Sequence, residues 1–69
     1  MTIGEKIKEL RKEKDWTKQR LADELATHRN AIYWWETGRN EPSIFNCILL
    51  ADIFDVTLDE LCCRYERGV

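Results

Sequence analysis

Apolar residues recur along this chain with a helical period, and no stretch alternates in the manner of a strand. The pattern predicts five helices, over residues about 3–14, 18–25, 29–37, 44–54 and 58–65. Thr2 with Glu5, and Thr57 with Glu60, have the spacing of a capping box at a helix start. Gly38 is placed to end the third helix in a left-handed conformation. We therefore expect an all-α domain.

The second and third predicted helices are joined by only about three residues, which forces a sharp angle between them and gives a helix-turn-helix. Ala22 is small, so the third helix can approach the second closely. Ile32 and Trp35, three positions apart, are expected to face the core together with Ala31. The opposite face of the third helix then presents four other side chains, Arg29, Asn30, Tyr33 and Trp34.

The fourth predicted helix is apolar around most of its circumference. One stripe, expected to face the core, comprises Ile44, Cys47, Ile48 and Ala51. Phe45 and Leu49 lie on another face, so the helix needs cover on more than one side. Either the last helix or a second subunit can provide that cover. We predict a homodimer interface formed by Phe45, Leu49, Leu61, Cys62 and Tyr65.

Length and composition restrict the class of protein. The chain has 69 residues, of which 43% are hydrophobic and 35% charged, which predicts one folded domain over residues 1–69 with frayed ends at 1–2 and 66–69. Apolar runs such as Cys47–Ala51 are far shorter than the roughly 20 residues that cross a membrane. The mixed charges of the amino terminus do not resemble a signal peptide. We therefore expect a cytoplasmic protein whose three cysteines are thiols.

The charges are unevenly distributed. The net charge is -2, yet residues 1–39 hold nine Lys or Arg against seven Asp or Glu, whereas residues 40–69 hold two against six. An anionic partner is therefore expected at the amino-terminal half. Arg pairs with guanine and Asn with adenine in the major groove, so Arg29 and Asn30 are candidates for base contacts.

Three stretches resemble the Cro/repressor family of prokaryotic and phage helix-turn-helix regulators, also called the Xre family. They read IGEKIKELRKEKDWTKQRLADEL, AIYWWETGRNEPS and LADIFDVTLDEL, and the resemblance covers residues 3–61. It implies a compact five-helix, lambda-repressor-like domain. It also implies a twofold dimer on operator DNA with the third helix in the major groove.

The resemblance implies roles for individual residues. Base-reading positions are held by Arg29, Asn30 and Trp34, beside Tyr33 on the same face. Thr17, Lys18, Ala31 and Arg39 fall near phosphate-contacting positions. His28, at the start of the third helix, and Asn40, just after it, are further candidates for contacts to the DNA backbone. Arg11 and Glu36 match an internal salt bridge that orients the arginine toward phosphate. Several positions depart from the family pattern. Ala26 replaces a common Gly, Lys18 a common Gln, and His28 a common Ser or Thr. Trp34 stands where Lys or Gln is common, and Phe45 and Leu49 where Glu and Lys are usual.

Other chemistries find no support in the sequence. His28, Cys47, Cys62 and Cys63 lack the spacing of a metal site, and the single histidine has no nucleophile beside it. We predict no enzyme activity, no cofactor, no metal and no small-molecule ligand. The expected function is a dimeric repressor that occupies a palindromic operator in double-stranded DNA. The alternative is a module of the same fold that binds another regulator or a toxin, which the negative net charge and Trp34 would suit.

Overall fold

The computed structural model describes residues 1–63, and the five predicted helices are present in it. They are α1 (Ile3–Glu13), α2 (Lys18–Glu24), α3 (Arg29–Thr37), α4 (Ile44–Phe54) and α5 (Leu58–Leu61). No strand occurs within these residues, so the all-α prediction is confirmed. The bounds of α3 and α4 match the prediction, and α1 and α2 each end one residue earlier. The fifth helix was predicted to reach residue 65 but ends at Leu61. No helix in this part of the chain is long and apolar enough to cross a membrane.

Hydroxyl side chains define most of the helix starts. Thr2, Thr17, Ser43 and Thr57 each accept a hydrogen bond from the backbone N–H three residues on. Thr2, predicted to lie in a frayed end, is held in a complete capping box, because its own N–H also donates to Glu5 at 2.9 Å. At Thr57 only the first of these two bonds forms. His28 begins α3 without any side-chain cap.

All five helices end in a residue with positive φ. Gly38 has φ of 84°, and the other four residues, with φ between 55° and 60°, are Asp15, Ala26, Asp55 and Cys63. Backbone hydrogen bonds close such helix ends. At the end of α2, for example, the Thr27 N–H donates to the Ala22 carbonyl oxygen at 2.9 Å. The structure therefore realises at Ala26 the left-handed turn for which the family commonly uses glycine.

The core lies where the helices meet. It comprises Ile7, Leu10, Leu21, Ala22, Leu25, Ile32, Trp35, Cys47, Leu50, Ala51, Phe54 and Leu61. Helix α3 packs against both α1 and α2, so its position is set from two sides. Gly4 permits the contact with α1, because a Cβ there would collide with the Trp35 carbonyl oxygen. The lack of a side chain at Gly4 thus determines how closely α1 and α3 pack.

Two predictions for α4 and its surroundings are wrong. Ile44 and Ile48 were expected in the core, but they are 69% and 44% exposed, and Leu50 and Phe54 take the inward positions instead. A helix that is apolar all round gives no periodic signal that selects its inner face, which explains the error. Leu61 was expected in a dimer interface, but it is fully buried within the chain.

The remaining members of the predicted interface lie in different surroundings. Phe45 is 66% exposed, Leu49 is half-buried against the core, and Cys62 is half-buried after α5. Tyr65 lies outside the described residues. The exposed apolar side chains of α4 are therefore Ile44, Phe45 and Ile48, which we call the α4 apolar face.

Candidate nucleic-acid interface

A groove opens between the start of α2 and the outer face of α3. Its walls are formed by Thr17, Lys18, Gln19, Arg29, Asn30 and Tyr33. The structure thus brings together five residues for which a DNA contact was predicted. It also adds Gln19, which was not predicted.

The backbone makes this groove attractive to anions. The amino-terminal ends of α2 and α3 both lie at it, and neither helix has a carboxylate in its first turn, unlike α1 and α5. Free N–H groups at a helix start carry a partial positive charge, to which the side chains of Lys18 and Arg29 add two full charges. Phosphate oxygens fit this combination of donors and charge.

The two helices of the groove are held at a fixed angle by buried contacts. Leu21 and Ala22 of α2 are fully buried, as is Ile32 of α3. The turn between them is closed by the bond from Thr27 to Ala22 and passes through left-handed Ala26. Because these contacts are behind the groove, its polar side chains lie at its mouth, where Arg29 and Asn30 are exposed and Lys18 is half-buried.

Arg11 and Glu36 form the predicted internal pair. The guanidinium donates to the two carboxylate oxygens of Glu36 at 2.7 and 3.1 Å, and to the Trp16 carbonyl at 2.8 Å. Arg11 is only 5% exposed. These bonds use three of the five N–H groups of the guanidinium, and the phosphate contact predicted for Arg11 stays a prediction.

Trp34 and Arg39 lie together, away from the lining of the groove. The Arg39 guanidinium carbon is 5.1 Å from the centroid of the Trp34 ring, a cation–π distance. Trp34 is half-buried and Arg39 is exposed. The indole thus restrains the arginine at the carboxyl end of α3. Base reading by Trp34 stays a prediction.

The other predicted backbone contacts are scattered. His28 is exposed at the start of α3, and Ala31 is half-buried against the core. Asn40 lines a separate depression together with Glu5 and Glu41, whose carboxylates make its surroundings less suited to phosphate. These three residues do not share the groove with Lys18 and Arg29.

Gln19 is the residue that sequence reasoning missed. It is exposed at the second position of α2, and its side-chain amide donates to Asp23 at 2.9 Å. The predicted base contacts all lie on the third helix, and Gln19 belongs to the second. The usable signal is its position one residue after Lys18, which places it at the same helix end.

No group of three or more His, Cys, Asp or Glu side chains within residues 1–63 is arranged to hold a metal ion.

Comparison with known proteins agrees with this geometry. A family model described as helix-turn-helix matches residues 7–61. The chain is 40% identical over 63 residues to the HTH-type transcriptional regulator AnsR of Bacillus subtilis, a match covering 91% of this chain and 54% of the relative. It is 38% identical over 61 residues to the HTH-type transcriptional activator BcrR of Enterococcus faecalis, covering 88% and 30%.

A phage protein shows the same relationship. The cryptic phage CTXphi transcriptional repressor RstR of Vibrio cholerae is 31% identical over 65 residues, covering 94% of this chain and 58% of the relative. This chain thus spans between about a third and three fifths of the length of these relatives. The match of the helix-turn-helix model to most of the chain, together with the groove between α2 and α3, shows that the protein belongs to the Xre-type helix-turn-helix family.

Proposed function

We propose that this chain is a sequence-specific, double-stranded DNA-binding transcriptional regulator that acts as a dimeric repressor in the cytoplasm. The observation that carries the proposal is the groove between α2 and α3, where two helix starts without carboxylates lie beside Lys18 and Arg29. The relatives whose names state transcriptional regulation support the same class of function.

Within this proposal, α3 enters the major groove and its exposed polar residues read bases. Arg29 donates a pair of hydrogen bonds to guanine, and Asn30 pairs with adenine. Tyr33 is 52% exposed on the same wall and contacts sugar or a thymine methyl group. Thr17 and Lys18 bind phosphate oxygens and set the register of the helix on the duplex.

A binding titration on two DNA sequences tests the division of roles. The probe is the DNA upstream of the protein's own gene, with a scrambled duplex of equal composition as its control. Asn30→Ala should weaken binding to the upstream DNA by roughly 5- to 150-fold and leave the scrambled duplex unchanged. Lys18→Ala should weaken both alike and reduce the salt slope by about one unit.

Lys8 of α1 provides the matched control, because it is an exposed lysine outside the groove. Lys8→Ala should bind both duplexes as the wild type does. Equal losses on the two duplexes for Asn30→Ala would contradict its role in base reading. Binding that is insensitive to salt would favour the alternative, a module that binds another protein, since only phosphate contacts release counterions.

The α4 apolar face supports the dimer. Ile44, Phe45 and Ile48 are adjacent on one helix and are 69%, 66% and 44% exposed, so burying them against a second copy removes apolar surface from water. A twofold dimer would present two α3 helices about 34–36 Å apart, which is one turn of DNA. The operator would then be a palindrome with half-sites at that spacing.

Sedimentation analysis with one charged substitution tests this interface. Phe45→Glu should shift the wild-type dimer to monomer and reduce the affinity for a two-half-site duplex. Asp52→Ala, also exposed on α4, should keep the dimer. A wild-type protein that is monomeric both free and on DNA would refute the dimer without affecting the DNA-binding proposal.

Repression is proposed to be steric, by occupancy of an operator that overlaps a promoter. A reporter gene under the bound promoter should fall in expression when the protein is present and recover with Asn30→Ala. The names of the relatives include both an activator and a repressor, so the sign of regulation rests on this measurement. Increased expression would contradict repression and leave DNA binding standing.

A further inference from the structure

The three cysteines of the chain lie around one cavity, which is separate from the groove between α2 and α3. Cys47 of α4 and Cys62 and Cys63, which follow α5, line one cavity together with Met1, Thr2, Ile3, Glu41 and Pro42. None of the residues proposed for base reading lines this cavity. The thiols therefore form a separate cluster.

The three thiols in the cluster have different partners. Cys47 is buried, its sulfur lies 3.8 Å from the Pro42 carbonyl oxygen, and it lines the same cavity as Cys62. The Cys63 sulfur instead lies 3.8 Å from the Thr2 carbonyl oxygen at the start of α1. Burial, first, and the neighbouring Cys62, second, raise the pKa of Cys47. Because the Cys63 sulfur is directed at another segment, Cys62 is the candidate partner for Cys47 in this cavity.

We propose that Cys47 and Cys62 form a thiol pair that a peroxide oxidises to an intramolecular disulfide. The half-buried Cys62 thiolate attacks one peroxide oxygen, becomes a sulfenic acid, and releases water after protonation of the leaving oxygen. The Cys47 sulfur then attacks the Cys62 sulfur, its proton leaves with the hydroxyl group as a second water, and the S–S bond forms. Two thiols and one hydrogen peroxide therefore yield one disulfide and two waters.

The bond would add a second covalent link between α4 and α5, which are joined by residues 55–57 and packed against each other. Helix α5 spans four residues and is anchored to the core chiefly by fully buried Leu61, one residue before Cys62. A disulfide to Cys47 would join the end of α5 to the first turn of α4. Cross-linking a loop of about 15 residues restricts the unfolded chain, so oxidation should raise Tm by roughly 5–20 °C.

Thiol counting by intact mass tests the assignment. The reduced full-length chain is treated with one equivalent of hydrogen peroxide, denatured, and labelled with N-ethylmaleimide. The wild type should fall from three labelled cysteines to one, lose the mass of two hydrogens before labelling, and return to three labels after dithiothreitol. Cys63→Ser should fall from two labels to none.

Cys62→Ser is the critical comparison, because it removes the partner of Cys47 with a change of one atom. Its two remaining thiols should be lost at least ten times more slowly than the wild-type pair. Loss at the wild-type rate would overturn the proposal, as would a peptide map that joins Cys63. Disulfide-linked dimers on a non-reducing gel, in place of an oxidised monomer, would overturn it equally.

Discussion

Removing the charge of Glu36 should destabilise this domain severely. In Glu36→Gln the side chain keeps its size, but the Arg11 guanidinium loses its counter-ion while it remains buried. The amide can still accept one of the two bonds that the carboxylate accepts at 2.7 and 3.1 Å, whereas its NH2 group faces the arginine as a second donor. A charge left unpaired in a buried site costs about 3–5 kcal/mol.

That cost is large relative to the total stability. A chain of this length has a free energy of unfolding of roughly 3–10 kcal/mol, so the variant loses between a third and all of it. At about 1 kcal/mol per molar of urea, the unfolding midpoint should fall by about 3–5 M, or the variant should be unfolded in buffer. Tryptophan fluorescence during urea titration measures the midpoint, since Trp16 and Trp35 are at least partly buried.

An exposed pair and a double variant serve as controls. Arg20 and Glu24 lie 3.0 Å apart on the surface of α2, and Glu24→Gln should cost under ~1 kcal/mol because water solvates the arginine. Replacing both Arg11 and Glu36 by leucine should be less damaging than Glu36→Gln alone, because no charge is then left buried. A midpoint shift for Glu36→Gln no larger than that for Glu24→Gln would refute this reasoning.

Three further predictions concern the backbone and the thiols. Ala26→Gly should raise the free energy of unfolding by roughly 0.5–1 kcal/mol in urea titration. Glycine relieves ~1–2 kcal/mol of left-handed strain, but the greater entropy of the unfolded chain offsets part of that gain. The control Ala31→Gly, within α3, should lower the free energy of unfolding by ~1 kcal/mol. Gly4→Ala should lower the free energy of unfolding by about 1–3 kcal/mol, because its Cβ must push α1 away from the Trp35 carbonyl, and an unchanged midpoint would contradict that contact. Because burial raises the pKa of Cys47, the folded chain keeps that proton when the unfolded chain releases it near pH 9.0, so stability should fall as pH rises above that value. Cys47→Ala should show a shallower decline in urea midpoints between about pH 8 and 10, and parallel declines would exclude the thiol as the cause.

Periodic and capping signals were sufficient for the fold. Thr17 and Ser43 begin helices by the hydrogen bonds that their hydroxyls make, and Gly38 ends α3 in the conformation that only glycine adopts without cost. These are local effects between residues a few positions apart. Local chemistry is read directly from a sequence, so the helices and the groove between α2 and α3 were predictable.

The failures involve contacts between distant residues. The inner face of α4 depends on which side α5 and α1 approach, and an all-round apolar helix such as this one does not record it. From the sequence alone, Gly4 is a residue that lowers the stability of a helix. Only the structure shows that the Trp35 carbonyl packs against it. The juxtaposition of Cys47 with Cys62 likewise depends on where the short α5 ends, which the pattern placed four residues too late.

The left-handed helix ends suggest how this protein can evolve. Every one of its five described helices terminates through the same backbone geometry, yet glycine occupies that position only at the end of α3. A glycine at most of the other helix ends would therefore increase the stability of the fold. None of Asp15, Ala26 or Asp55 lines the groove between α2 and α3. A lineage that moves to a hotter environment, or that acquires harmful changes while its base-reading residues are being altered, can recover by single glycine substitutions at these sites. The stability of the fold and the residues proposed to read bases can thus change independently.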